Sequence, residues 1–252
     1  MVTDSFDQVT EPVISPGDFH GEKHSLVKKC MILFSHELQS HLLSRFSCTK
    51  IAEIHNSCGV LPVWCMEYHG AQIAFYLSPP GSAAASDLCY EVHWLTGADT
   101  FYLFGSCGSL DGAKTKGRFI IPTESYRGDG ASYYYAPPAD YIAVRTSDTL
   151  AARFAERGIP YVQGRVWTTA SMFRETRGLT AKRREEGCIA VEMELAGVQA
   201  VCDFYGLTLY CFLEAGDILA EGSYQPEGLD AANHGIVKLL TAMMLASEYD
   251  ND

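Results

Sequence analysis

The stretch "GADTFYLFGSCGSLDG", Gly97 to Gly112, holds an uncharged, aromatic-rich run from Thr100 to Gly105, followed by hydroxyls set between glycines. An apolar run this short, bounded by turn residues, reads as a strand buried on both faces. The glycines after it let backbone approach a ligand closely. The loop "GSCGSL" (105–110) contains neither the Gly-Lys-Ser/Thr of a P-loop nor the glycine spacing of a dinucleotide fingerprint.

Working outward, further strands are expected at 61–68, 71–77, 118–122, 141–144, 160–169 and 207–216, and helices at 25–44, 84–96, 148–157, 174–186, 192–205 and 228–247. Strand–helix alternation along the chain predicts an α/β layered sheet with helices on both faces. Residues 1–25 are polar, with Pro12, Pro16 and Gly17, and read as an irregular arm; 26–252 read as a single domain, without repeats or linkers. A second loop, "SPPGSAAASD" (78–87), also follows a strand and opens a helix, where backbone amides meet ligands.

The 252 residues are 47% hydrophobic and 20% charged, as in an ordinary globular protein, and the formal net charge of −12 argues against nucleic acid or an anionic membrane as partner. No apolar run reaches the roughly 20 residues that span a bilayer. The N-terminus has acids where a signal peptide needs bases. Nine cysteines, an odd number without a C-x-x-C pair, lie in apolar stretches and read as buried thiols. A cytoplasmic protein is the expectation. His20, His24, His36 and His41 lack Cys or acid partners at metal-binding spacing, so no metal is expected.

Two short segments carry carboxylates in apolar surroundings. In "AVEMELAG" (190–197), a helix drawn from 190 to 205 aligns Val191, Leu195, Val198 and Cys202, drops Glu194 into that apolar face and puts Glu192 about 160° away. Glu192 then reads as solvated. Glu194 reads as a carboxylate in need of donors, such as ligand hydroxyls, an internal Arg or a helix first turn. In "LYCFLEAGDIL" (209–219), Asp217 follows an apolar strand; partial burial raises a carboxyl's pKa and suits it to general-acid work, although an N-cap role fits the same position.

Five segments in order give the chain a wider likeness: "SPGD" (15–18), "GADTFYLFGSCGSLDG", "YRGDGASYYYAP" (126–137), "GRVWTTASMFRET" (164–176), and "VEMELAG" followed by "EAGD". From Pro16 to about residue 245 the sequence resembles the nucleoside phosphorylase superfamily, especially its uridine phosphorylase-like branch. The resemblance implies a three-layer α/β/α single domain with a central mixed β-sheet, assembled as dimers, trimers or hexamers, that cleaves the N-glycosidic bond of a nucleoside. It implies that Glu194 holds the ribose hydroxyls, Met193 packs on the sugar and Asp217 protonates the departing base. Met172 and Phe173 would lie against the base, with Arg174, Glu175 and Arg177 at its edge. Gly17 and Ser106 would meet phosphate, with Lys23 or Arg127 as substitutes for the usual arginines.

Those arginines are missing. Gly21 and Leu103 stand where phosphorylases usually carry Arg, Phe19 replaces a usual Pro, no Arg lies near Gly59 where a third is expected, and Ala170 stands where this branch often has Asp. Arg clamps phosphate oxygens bidentately, so its loss leaves hydroxyl and amide donors. The implied activity is phosphorolysis of a purine or pyrimidine nucleoside to free base and ribose 1-phosphate, with phosphate as co-substrate and no other cofactor. Hydrolysis by a nucleosidase is the alternative, and a non-catalytic nucleoside-binding homologue a third reading.

Overall fold

Alternation along the apolar strands sends neighbouring residues to opposite faces of one sheet. In β5 (Thr100–Ser109), Phe101, Leu103 and Cys107 enter one buried cluster while Tyr102 and Phe104 enter another. Strand β10 (Thr208–Ala220) repeats this: Leu209, Cys211 and Leu213 face one way, Tyr210 and Phe212 the other. Both strands are therefore covered on both sides.

The computed structural model describes residues 5–57, 59–220 and 223–248, with backbone alone for 220 and 223. The remaining strands are β1 (Lys29–Leu33), β2 (Cys48–Asn56), β3 (Gly59–Tyr68), β4 (Ala71–Leu77), β6 (Phe119–Gly128), β7 (Tyr141–Ala143), β8 (Tyr161–Thr169), β9 (Cys188–Glu192) and β11 (Ser223–Gln225). One mixed sheet runs in the order β11-β10-β6-β8-β9-β5-β1-β4-β3-β2, with β7 on β6. Because β10 also pairs with β5, the strands β10, β6, β8, β9 and β5 close into a ring, and β1 to β4 extend from it.

Helices α3 (Ser82–Thr96) and α7 (Leu195–Tyr205) cover one face, placing Ala85, Leu88, Cys89, Val92, Leu195, Val198 and Cys202 over the β5 and β10 side chains. The opposite face takes Leu38 and Leu42 of α2 (His36–Arg45), Leu150 and Phe154 of α5 (Ser147–Glu156), and Leu239, Ala242, Met243 and Leu245 of α9 (Ile236–Ser247). This is the three-layer α/β/α arrangement with a central mixed sheet. Shorter helices are α1 (Pro16–His20), α4 (Gly112–Thr115), α6 (Arg177–Glu185) and α8 (Leu229–His234). Among the described residues no helix is long and apolar enough to cross a membrane.

The expected helix over 25–44 does not form as one element. Its first half is β1, an interior strand parallel to both β4 and β5, and the helix begins only after the Ser35 hydroxyl accepts the Leu38 amide. The expected helix over 228–247 divides into α8 and α9 at Gly235. Within the arm, Pro16–His20 is helical, capped reciprocally by Ser15 and Asp18.

Candidate active site

Both β1 and β9 use the same edge of β5, at different heights. Strand β1 pairs as far as Leu103, β9 begins at Gly108, and β10 holds the other edge throughout. A crevice therefore opens along Phe104–Cys107, where the strand order changes, the place at which α/β sheets receive ligands. The parallel strands β4, β1, β5 and β10 bring to this end Ser78–Gly81, Phe34–Ser35, Ser106–Ser109 and Glu214–Asp217.

Gly108 ties the two halves of the site together. Its backbone is paired with Val191 on one side and Asp217 on the other, and a Cβ there would meet the side chains of Leu219, Val191 and Asp217. Just beyond Val191 the chain turns into α7, with Glu194 as the residue preceding its first turn. Glu194 accepts the Gly81 amide at 2.6 Å, joining the start of α7 to the start of α3. Gly81 has φ of 104°, a conformation glycine adopts without strain.

Glu192 corrects the sequence reading. It is the last residue of β9, 5% exposed, and its Oε2 accepts the Glu194 and Leu195 amides at 2.7 Å each, while Thr168 donates to Oε1. The acid satisfies the first amides of α7, so residues 192–194 precede the helix and the wheel drawn through them does not apply. Burial, and then the charge of Glu194, push the Glu192 carboxyl up to about 8. Burial raises Glu194 as well, against the Gly81 hydrogen bond.

A folded-state pKa above the ordinary carboxyl value means the folded protein prefers the protonated acid. That contribution is complete below about 4.5 and is lost as pH rises through about 8. Glu192→Gln, which keeps an acceptor for the amides and cannot ionise, is expected to melt higher than the parent at pH 8 and to narrow the gap at pH 5. Thermal melts at the two pH values check this; a parent with equal or greater advantage at pH 8 would contradict it.

Asp217 lies on β10 with its carboxyl raised by burial, opposed in part by the Tyr224 hydroxyl. Glu175, after the 3₁₀ turn Met172–Arg174, is pushed up to about 7, first by burial and then by the charge of Asp217. Two carboxyls that repel each other hold a proton near neutral pH. Met172 and Phe173, 54% and 91% exposed, stand on the loop that carries Glu175, with Arg174 and Arg177 exposed beside them. Met193 is half-buried between the two glutamates.

The residues expected at phosphate are dispersed. Gly17 packs against Trp94, near the C-terminal end of α3, about 18 Å of helix from Ser82. Lys23 bonds His93 at that same end. Arg127 is 3% exposed and spends its guanidinium on Ser132 Oγ, Pro137 O and Ala136 O, with Tyr133 stacked at 4.0 Å. It holds its own loop, which Asp129 fastens to α3 by accepting the Ser82 hydroxyl at 2.6 Å. Only Ser106 reaches the crevice, and it donates to Asn233 Oδ1. Among the described residues no group of three or more His, Cys, Asp and Glu side chains is placed to hold a metal ion.

The model of the phosphorylase superfamily matches residues 33–240. The chain belongs to this superfamily. Its members are enzymes of the nucleoside phosphorylase and nucleosidase type. The superfamily fold is shared with a Helicobacter pylori 5'-methylthioadenosine/S-adenosyl homocysteine nucleosidase, at 21% identity and TM-score 0.67, over 87% of this chain and 99% of that one. The Campylobacter jejuni nucleosidase of the same name gives 18% and 0.70, over 88% and 98%. The futalosine hydrolase of Helicobacter pylori gives 19% and 0.67, over 88% and 97%. At these identities the likeness is one of fold. The match starts at Leu33, so "SPGD" lies outside it, in keeping with the remote position of Gly17.

Sequence reasoning missed Glu214, Asn233 and Lys238 as neighbours of Ser106. The signal was a lone charge in each of two apolar runs, "LYCFLEAG" and "GIVKLLTAMM", whose complementarity appears only when α9 brings Lys238 to Glu214.

Proposed function

We propose that the protein is a nucleosidase that hydrolyses the N-glycosidic bond of a purine ribonucleoside, water acting where a phosphorylase uses phosphate. The observation that carries this is the environment of Ser106: its strand partner is Glu214, a carboxylate, where an arginine would be needed to clamp a phosphate dianion. Arg127 is committed elsewhere and Lys238 is paired with Glu214. A dianion here would meet negative charge, whereas neutral water would not.

Glu194 suits the ribose, since a carboxylate oxygen can accept a hydroxyl proton from each partner of a vicinal diol. Asp217, its carboxyl raised by burial and set beside Glu175, suits delivery of a proton to the leaving base. A purine carries a basic ring nitrogen apart from the glycosidic one, which favours purine substrates. The related folds named as nucleosidases and a hydrolase agree with water as the nucleophile.

The test is a nucleoside panel with and without phosphate, products resolved as free ribose and ribose 1-phosphate. Free ribose at an unchanged rate in phosphate-free buffer is expected. Ribose 1-phosphate as the main sugar product would overturn the reading.

A further inference from the structure

Asp217 lies three positions after Glu214, which in a regular strand would send the two to opposite faces. A β-bulge changes that. Glu214 pairs with Ser106, Ala215 with Cys107, and Asp217 with Gly108, leaving Gly216 as the extra residue. Glu214 and Asp217 thus occupy the same-face positions of Ser106 and Gly108, two ladder steps apart. The bulge is held by α8: a Cβ on Gly216 would lie 2.9 Å from Ala232 Cβ and 3.1 Å from Leu229 Cα, so glycine is required where that helix crosses.

Glu214 is itself held. Its Oε2 lies 3.4 Å from Lys238 Nζ, and a Cβ on Gly235 would come 3.4 Å from the same oxygen. Lys238 is 1% exposed, and its ammonium also donates to Ala232 O and Gly235 O. The Glu214 side chain retains 33% exposure at the end of the crevice, next to the Ser106–Asn233 pair.

We propose that Glu214 is the base that activates water in this site, acting with Asp217 as an inverting carboxyl pair, with Lys238 as its positioning residue. Two ladder steps set their backbone positions about 6.6 Å apart, a spacing from which two carboxyls on one face can flank a water, as the carboxyl pair of an inverting glycosidase does. The Glu214 carboxylate takes one proton of the water as its oxygen bonds to the anomeric carbon. The carbon–nitrogen bond breaks, its electron pair stays with the base, and Asp217 supplies a proton to a base ring nitrogen. Products are ribose, first formed as the α-anomer from a β-nucleoside, and free base. Glu214 ends protonated and Asp217 ionised, and solvent exchange resets both.

This inference rests on the hydrolytic reading, and the experiment separates the two. The parent enzyme is assayed without phosphate, with the first-formed anomer followed by NMR. Glu214→Gln is expected to lose at least 100-fold in kcat with KM within about threefold. Azide is then offered to Glu214→Ala, or, where that variant does not give a native melting transition, to Glu214→Ala/Lys238→Met, which also removes the orphaned ammonium. Azide is expected to restore base release at least tenfold and to give α-ribosyl azide, which a merely structural role for Glu214 would not do. Turnover of Glu214→Gln within threefold of the parent, a first-formed β-anomer, or failure of azide to rescue would overturn the role of Glu214 while leaving hydrolysis intact. Turnover only with phosphate would overturn both.

Discussion

Asp217→Asn is expected to lower kcat by about 10²–10⁴-fold with KM within a few-fold. The amide is the same size and can still take the Tyr224 hydroxyl, so the strand and its bulge keep their geometry, but it has no proton to give. The loss should be smaller for nucleosides whose base departs easily without protonation. The alkaline limb of the parent's kcat profile belongs to the Asp217–Glu175 pair. Glu175 is raised to about 7 by burial and by Asp217, and the repulsion is mutual. Glu175→Gln removes a negative neighbour, so Asp217 should lose its proton at lower pH and the alkaline limb should move to lower pH. A limb that stays in place would mean that the two carboxyls do not share the proton. A kcat for Asp217→Asn within threefold of the parent would remove Asp217 from the chemistry.

How much of this was legible in the sequence depends on which force shapes each segment. β3, β4, β5, β8 and β10 stand where short apolar runs bounded by turn residues put them, within a few residues at each end. β1 was hidden because "VKKCMILFSHELQSHLL" places apolar residues at helical spacing across a boundary that only the Ser35 cap marks. Glu194 was singled out by a helical wheel that does not apply to it. Its place in the site comes from the Gly81 amide, 113 residues away in sequence. Glu192 was read as solvated because the same wheel turned it about 160° from Glu194, to the polar side. Its partners are the backbone amides of its own turn and a Thr168 hydroxyl from the neighbouring strand, none of which leaves a charge in the sequence. The anion half-site was misread for a related reason. "SPGD" and Arg127 match in letters, but one sits at the far end of α3 and the other closes its own loop, so a motif survived without its contacts.

Glu194→Gln should separate ribose recognition from folding. The Gln carbonyl can still accept the Gly81 amide, which keeps α3 and α7 joined, and loss of the charge beside buried Glu192 relieves a repulsion. The melting temperature should therefore hold or rise. The sugar contact changes differently: a carboxylate can accept both hydroxyls of the diol, whereas the amide nitrogen can only donate. Hydrogen bonds to a charged group contribute about 1.5–3 kcal/mol, so kcat/KM for a ribonucleoside should fall by roughly 10- to 100-fold. The decisive comparison is with the 2'-deoxynucleoside of the same base. The parent should discriminate strongly against it, and Glu194→Gln should treat the two substrates nearly alike, because enzyme and substrate have each lost one side of the same contact. Equal discrimination by parent and variant would show that Glu194 does not touch the 2'-hydroxyl. Its burial would then serve the start of α7 alone.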